Sequence, residues 1–259
     1  MPNWNKDYYI TLAERFAAIT DGLDDRLEDI IKGKVVPAVE NIDIGSAKSV
    51  RAAVIFFDIC NFSGRTGSIQ LSEMKKALLM LDCVIPMIMN VVYDYGGYIE
   101  KNTGDGVMAI IGIEKNDEEA TTAALNVATD CFYILDNLIN PFFSKLGISP
   151  VALTVGIDLG PLLLARIGVH TGTSKINRNF LTAVGPAANL ACKLQGMAGV
   201  NEIWTGDLIY SKSASFEKQY FMDVTPQNWT WVYMPEGLSP YRIWYYHARR
   251  VSPFSLVSS

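Results

Sequence analysis

The chain is poor in the residues whose spacing would announce a zinc site or a disulfide framework. Its four cysteines, Cys60, Cys83, Cys131 and Cys192, are far apart, and none forms a Cys-x-x-Cys pair. This excludes a zinc ribbon or a dithiol redox motif and reads as free thiols in a reducing compartment. Only two histidines occur, His170 and His247, too distant to make a ligand pattern. Positive charge is not in excess either: 22 Lys and Arg stand against 27 Asp and Glu, a net charge of −5. No whole-surface field therefore favours nucleic acid as a partner. No run of about eighteen uncharged apolar residues appears, so no membrane span and no membrane partner is expected. Met1 to Asp7 is polar and lacks the apolar core of a secretory leader. Internal repeats and low-complexity tracts are absent. The expectation is a soluble, cytoplasmic protein.

What the chain has is enough apolar material for one full core: 259 residues, 49% of them hydrophobic. Helical spacing of apolar residues runs over 8–32, which suits either a helix packed on its own domain or an arm that stabilises a dimer. Residues 33–49 form a connector with Pro37 and Gly45. Val50 to Phe57 is a β-branched and aromatic run, the pattern of a central strand. A helix is predicted over 71–95, ended by Gly96-Gly97. A hairpin follows, with strands 98–101 and 107–111 around Thr103-Gly104-Asp105-Gly106. Then come a helix over 117–138, strands 151–157 and 162–169 joined by Asp158-Leu159-Gly160-Pro161, and a loop over 170–179. A short strand at 180–184 precedes a helix opened by Gly185-Pro186. A short strand at 203–205 and a helical turn over 206–213 come next. The aromatic-rich remainder, with Trp229, Trp231, Tyr233 and Trp244, suggests a strand hairpin. The order β-α-β-β-α-β predicts an α/β (α+β) fold, a split βαβ, ferredoxin-like sheet with helices on one face behind an N-terminal helical arm. The division is 1–49 for arm and connector, 50–248 for the main domain and 249–259 for a tail.

Two runs carry chemistry. Val54-Ile55-Phe56-Phe57-Asp58-Ile59-Cys60-Asn61-Phe62-Ser63 and Gly96-Gly97-Tyr98-Ile99-Glu100-Lys101-Asn102-Thr103-Gly104-Asp105-Gly106 each put one aspartate at the edge of an apolar strand. Either aspartate alone is an ordinary turn or cap residue. In a split βαβ sheet the two strands are neighbours, so the carboxylates converge, and converging carboxylates repel unless a cation lies between them. Asp58 and Asp105 are therefore the candidate ligands of a divalent-metal site that also takes a triphosphate. The amides of Ile59 to Ser63, at the start of a turn, offer an anion cradle. Phe56, Cys60, Asn61, Phe62 and Arg65 are the candidate substrate contacts around it.

These runs, followed by Val184-Gly185-Pro186-Ala187-Ala188-Asn189-Leu190-Ala191-Cys192-Lys193-Leu194, resemble the class III nucleotidyl cyclases over about residues 50 to 205. The resemblance implies two Mg2+ or Mn2+ ions on Asp58 and Asp105, with the backbone carbonyl of Ile59 as a further ligand. It implies a homodimer with composite sites, in which the partner chain supplies Asn189 to orient the ribose and a cation to stabilise the transition state. That cation is arginine in the family and Lys193 here, which keeps the charge but loses the planar fork. The lysine that grips the triphosphate in the family has no clear match; Arg242 is the nearest candidate. A degenerate domain that binds nucleotide without turnover is the competing reading.

Base selection in the family uses a lysine paired with an aspartate or threonine, matched here by Lys101 and Thr182. Guanylate-selecting members carry an acidic residue where this chain has Lys101, which disfavours guanine. Lysine donates only, so it suits adenine N1, uracil O4 or cytosine N3; threonine donates or accepts and so tolerates uracil O4. Arg166 is either a further donor near the base or an edge ion pair. A lone cyclase domain with a short helical arm is similar to the bacterial pyrimidine cyclases of Pycsar anti-phage systems, which act on a separate effector protein gated by the cyclic nucleotide. The order of expected substrates is UTP, then CTP, then ATP.

Overall fold

The apolar run around Phe56 is the centre of the sheet. A computed structural model describes residues 31–32, 42–67, 70–168, 179–231 and 241–251. In chain order its elements are β1 (Ile31–Lys32), β2 (Ala47–Ile59), α1 (Phe62–Thr66), α2 (Leu71–Asp94), β3 (Tyr98–Asn102), β4 (Gly106–Ile111) and α3 (Asp117–Ile134). A π-helical turn (Leu135–Ile139) leads into α4 (Asn140–Lys145). Then follow β5 (Leu153–Gly168), β6 (Asn179–Val184), α5 (Pro186–Met197), β7 (Ile203–Gly206), α6 (Asp207–Lys212), β8 (Phe221–Asp223) and β9 (Ile243–Tyr246). The strands run β3-β4-β2-β5-β7-β9-β8 across the sheet, with β1 on β2 and β6 on β5. The mixed α+β architecture and its β-α-β-β-α-β core are as expected from the sequence.

Alternation along β2 builds two cores. Ala53, Ile55, Phe57 and Ile59 face the cluster formed with α2 and α3, while Val50, Ala52 and Val54 join Met108, Ile110, Leu162 and Leu164 on the other face. Each fully buried Ile or Phe contributes ~1.5–3 kcal/mol, far more than an exposed helix pair such as Lys76–Glu73 at about 0.3–0.5 kcal/mol. By length and composition α2 could cross a membrane. Here Met80, Val84, Ile88 and Val92 are buried against the sheet. The start of α3 is fixed by a capping box: Asn116 Oδ1 accepts from Glu119 N at 2.9 Å, and Asn116 N donates to Glu119 Oε2 at 3.2 Å.

Several boundaries differ from the sequence reading. β2 begins at Ala47, inside the expected connector, because Ala47 and Lys48 pair with Ala165 and Leu164. Ile31 and Lys32 pair as a two-residue strand with Lys48 and Ser49 rather than ending a helix. The rest of the expected helix over 8–32, and residues 170–178 of the expected loop over 170–179, lie outside the described residues, while Asn179 opens β6. Trp229 and Trp231 lie outside the strands of the C-terminal hairpin.

The largest difference is β5, a single strand through Asp158-Leu159-Gly160-Pro161, where turn-forming residues predict a break. Pairing on both edges, with β2 along its length and β7 and β6 in succession, overrides the local preference. Its glycines serve packing instead. A Cβ at Gly156 would stand 2.1 Å from Ala191 O, and one at Gly160 would stand 3.3 Å from Ala187 Cβ. So α2 and α3 cover one face of the sheet and α5 is pressed against the other at a row of small residues, which puts helices on both faces rather than on the one expected from the sequence.

Between those glycines Asp158 is fully buried. Tyr241 donates its hydroxyl to Asp158 Oδ1 at 2.5 Å, and Oδ2 has no hydrogen-bond partner among the described residues. Burial pushes the Asp158 carboxyl up to about 8, with Asp207 adding to the effect. The folded chain thus holds a proton that the unfolded chain releases near pH 4. Stability is therefore expected to fall as pH rises from about 4 through 8. Asp158→Asn should flatten that slope, read as urea midpoints at pH 5, 7 and 9.

Candidate metal and nucleotide site

The pairing of β2 with β4 sets Asp58 opposite Gly106. Asp105 precedes that glycine in the turn from β3, and its carbonyl accepts the amide of Ile59 at 3.1 Å. The two aspartates therefore sit at the same end of neighbouring strands. Local chemistry explains the turn. Gly104 takes φ +101°, a conformation that favours glycine. Its amide donates to Asn102 Oδ1 at 2.7 Å. Gly106 has to be small: a Cβ there would lie 2.7 Å from Thr103 Oγ1, 2.9 Å from Phe57 O and 3.2 Å from Asp58 Oδ1. Burial first, and Asp105 second, push the Asp58 carboxyl up to about 6.

Burial and a neighbouring carboxylate both disfavour the charged form of Asp58, and a bound cation would favour it. Among the described residues no group of three His, Cys, Asp or Glu side chains could close around an ion. Two carboxylates with open positions suit Mg2+ or Mn2+, which fill the rest of their shell with water and substrate phosphate. Asp58 and Asp105 thus fit such ions.

The anion cradle is narrower than the sequence implied. The Ile59 amide is taken by Asp105 O, and the Cys60 amide by Ala152 O at 2.9 Å. The amides of Asn61, Phe62 and Ser63 have no backbone acceptor among the described residues. Asn61 is left-handed, φ 56° and ψ 34°, and its side chain lies over Gly64, where a Cβ would meet Oδ1 at 2.5 Å. Phe62 packs against the first core cluster and Phe56 against the second. Cys60 is half-buried; burial chiefly, and Asp58 in addition, raise its thiol above the ordinary range, so it stays neutral. Arg65 points elsewhere: its Nη1 and Nη2 donate to the carbonyls of Ser149 and Pro150 at 3.1 and 2.6 Å. It braces that loop.

The candidate base-reading pair is brought together by a residue the sequence reading passed over. Glu100 accepts from the hydroxyl of Thr182, and from the amide of Ala183 at 3.2 Å. Lys101 Nζ lies 3.5 Å from Glu100 Oε2. Alternation from Tyr98 would have put Glu100 on the inner side of its strand, and that was the available signal. Arg166 donates to Ile42 O at 2.7 Å. Arg242 lies 3.4 Å from Asp223.

Asn189 and Lys193 lie one turn apart on the exposed side of α5. Lys193 Nζ sits 4.7 Å from the ring centroid of Trp229 and 5.5 Å from that of Trp231. The two indoles stack at 5.9 Å and 9°. The Trp-x-Trp alternation was visible in the sequence, but the lysine it receives was not.

With no cation bound, Asp58 retains a proton to about pH 6, so its ionisation opposes folding as pH rises from about 4 through 6. In chelator-treated protein, Asp58→Asn is expected to raise the urea midpoint at pH 8 and leave it nearly unchanged at pH 4.5.

No protein-family model matches the chain. In sequence it is 29% identical over 183 residues to a uridylate cyclase of Burkholderia cepacia, covering 69% of this chain and 74% of that one. It is 25% identical over 181 residues to an adenylate cyclase of Anabaena cylindrica, covering 68% of this chain. The chain spans only 33% of the length of that adenylate cyclase. In fold it is similar to the adenylyl cyclase CyaB from P. aeruginosa, with a TM-score of 0.63 at 21% identity over 79% of this chain and 97% of that one. The guanylyl cyclase Cya2 matches with a TM-score of 0.62 at 17% identity over 80% of this chain and 96% of that one. The chain is thus similar in sequence to uridylate and adenylate cyclases, and it shares the fold of adenylyl and guanylyl cyclase domains.

Proposed function

We propose that the chain converts a pyrimidine nucleoside triphosphate, UTP before CTP, to the 3′,5′-cyclic nucleotide and pyrophosphate. The observation that carries this reading is the convergence of Asp58 and Asp105 at paired strand ends, with Asp58 pushed up to about 6 by burial first and by Asp105 second. Bound there, two divalent ions supply activation of the ribose 3′-hydroxyl and neutralisation of the leaving pyrophosphate. Asp58, Asp105 and the Ile59 carbonyl fix the position of that charge. The amides of Asn61, Phe62 and Ser63 receive phosphate oxygens, and Lys101 and Thr182 hold the base edge. Asn189 and Lys193 come from a second copy: Asn189 orients the ribose, and Lys193 meets charge developing on the α-phosphate. The catalytic unit is residues 50–248, extended at its start by Ala47 to Ser49 of β2. The protein acts in the cytoplasm in anti-phage defence, its product switching a separate effector protein.

The Burkholderia relative supports the pyrimidine assignment. The Anabaena relative supports adenylate cyclisation instead. Lys193, standing where the resemblance implies arginine, favours a further reading, a nucleotide-binding domain without turnover.

Purified protein with Mn2+ and all four nucleoside triphosphates in competition, with products identified by mass, separates these readings. A cyclic pyrimidine nucleotide is expected. Cyclic AMP in excess would assign the adenylate activity, and no cyclic product would leave the binding domain. Asp58→Ala should lower turnover by about three orders of magnitude, the several kcal/mol that metal catalysis supplies, while leaving the fold intact. Mixing Asp105→Ala chains with Lys193→Ala chains should restore activity that neither has alone, because one of the two shared sites is then whole.

A further inference from the structure

We infer that Glu100 determines which bases Thr182 can read, by taking the only proton that the threonine hydroxyl has to give. The inference rests on the reading of Lys101 and Thr182 as the base-edge pair.

Glu100 sits at a β-bulge. Ile99 pairs with Ala109 and Lys101 with Met108, so Glu100 is the extra residue of β3. Bulges re-aim side chains. In a regular strand Glu100 and Lys101 would face opposite sides of the sheet. Here Lys101 lies opposite Met108, which in turn lies opposite Phe56. Glu100 follows Tyr98 on that same face, and both side chains meet in an ion pair at 3.5 Å. This row is one pleat repeat from the row of Asp58 and Gly106, about 7 Å along the strands.

The Glu100 side chain is only 2% exposed. Its Oε1 already accepts the Ala183 amide, so Thr182 is the donor in the contact between them. A hydroxyl has one proton and two lone pairs. With that proton spent, Thr182 presents only an acceptor to a ligand. Glu100 Oε2 is buried without a hydrogen-bond partner among the described residues, and Lys101 stands beside it. The carboxylate therefore fixes a pair of fixed polarity: Lys101 donates and Thr182 accepts. Threonine's tolerance of uracil O4, expected from its two-way chemistry, is lost.

This pair separates bases by the order of their edge groups. Uracil offers O4 to the lysine and N3–H to the threonine. Cytosine offers the reverse order and fits only if the base is turned over, with N3 on the lysine and its amine on the threonine. A given placement of the sugar allows one of these and not the other.

The test is the ratio of UTP to CTP turnover in wild type, Glu100→Ala, Glu100→Gln and Thr182→Val. Nucleotide-induced shifts of the unfolding midpoint give the same ratio for binding. Glu100→Ala returns the proton to Thr182, so the ratio, whichever way it leans, is expected to move toward unity by about tenfold, one hydrogen bond's worth of discrimination. Thr182→Val should do the same, and the double variant no more. Glu100→Gln keeps an acceptor for Thr182 and should retain the wild-type ratio. Should Glu100→Ala fail to fold, Glu100→Met fills the volume without a carboxylate and takes its place. A loss of total activity with an unchanged ratio would reduce Glu100 to a structural residue and overturn the inference. A wild-type chain without turnover but with an altered binding ratio in the variants would refute the cyclase reading alone.

Discussion

The antiparallel register of β2 on β4 is the constraint on which the site depends. It places Asp58 opposite Gly106 and, through the Ile59 amide, ties the Asp105 carbonyl to the end of the same strand. A slip of one residue would turn Asp58 toward the α2 and α3 core and bring Phe57 or Ile59 to the open end. The hydrophobic pattern forbids that slip, because Ala53, Ile55, Phe57 and Ile59 are all buried on the helix side. The apolar core thus holds the acidic pair in place against its own repulsion. Burial first and Asp105 second push the Asp58 carboxyl up to about 6 in that placement.

Two local features of the strands, a pair of glycines and a bulge, shape the opposite face. Gly156 and Gly160 let the backbone of α5 lie directly on β5, which fixes the exposed side of that helix and with it Asn189 and Lys193. The bulge at Glu100 turns two consecutive side chains onto one face. It also lets β3 reach Thr182 on β6, a strand that is not its neighbour in the sheet. The sheet must curl for these to meet, so the second apolar cluster is enclosed from both sides.

The fold was largely legible because its periodic signals are strong. β2, α2, the β3–β4 hairpin and α3 follow from apolar spacing alone, and the capping box at Asn116 marks a start that sequence can show. β5 was misread as two strands because Asp158-Leu159-Gly160-Pro161 has turn composition. Only tertiary pairing reveals that Asp158 is buried against Tyr241 and that the glycines admit a helix. Of the site, the two aspartates and their convergence were legible as motifs at strand ends. Arg65 was not, because a cation near a phosphate turn looks the same in sequence whether it faces a ligand or the carbonyls of Ser149 and Pro150. Glu100 was hidden for a different reason. A bulge has no composition of its own, and without it the neighbouring lysine draws the attention.

The seat of Lys193 gives direction to an otherwise flexible cation. A free lysine side chain has about 2 kcal/mol of rotamer entropy to lose when it is held in one place. A cation over an indole gains ~0.5–2 kcal/mol, depending on how far it is desolvated. The stacked pair of Trp229 and Trp231 thus offsets much of the ordering cost before any ligand arrives. It also has a firm base, since Trp229 Nε1 donates to Tyr241 O at 2.9 Å, and Tyr241 is itself bound to Asp158 under α5. An arginine would bring its own planar geometry; a lysine gains direction only from what surrounds it. In this chain that surrounding is a C-terminal segment anchored to the same buried acid that α5 covers, so the position of the cation and the packing of the helix that carries it are set together.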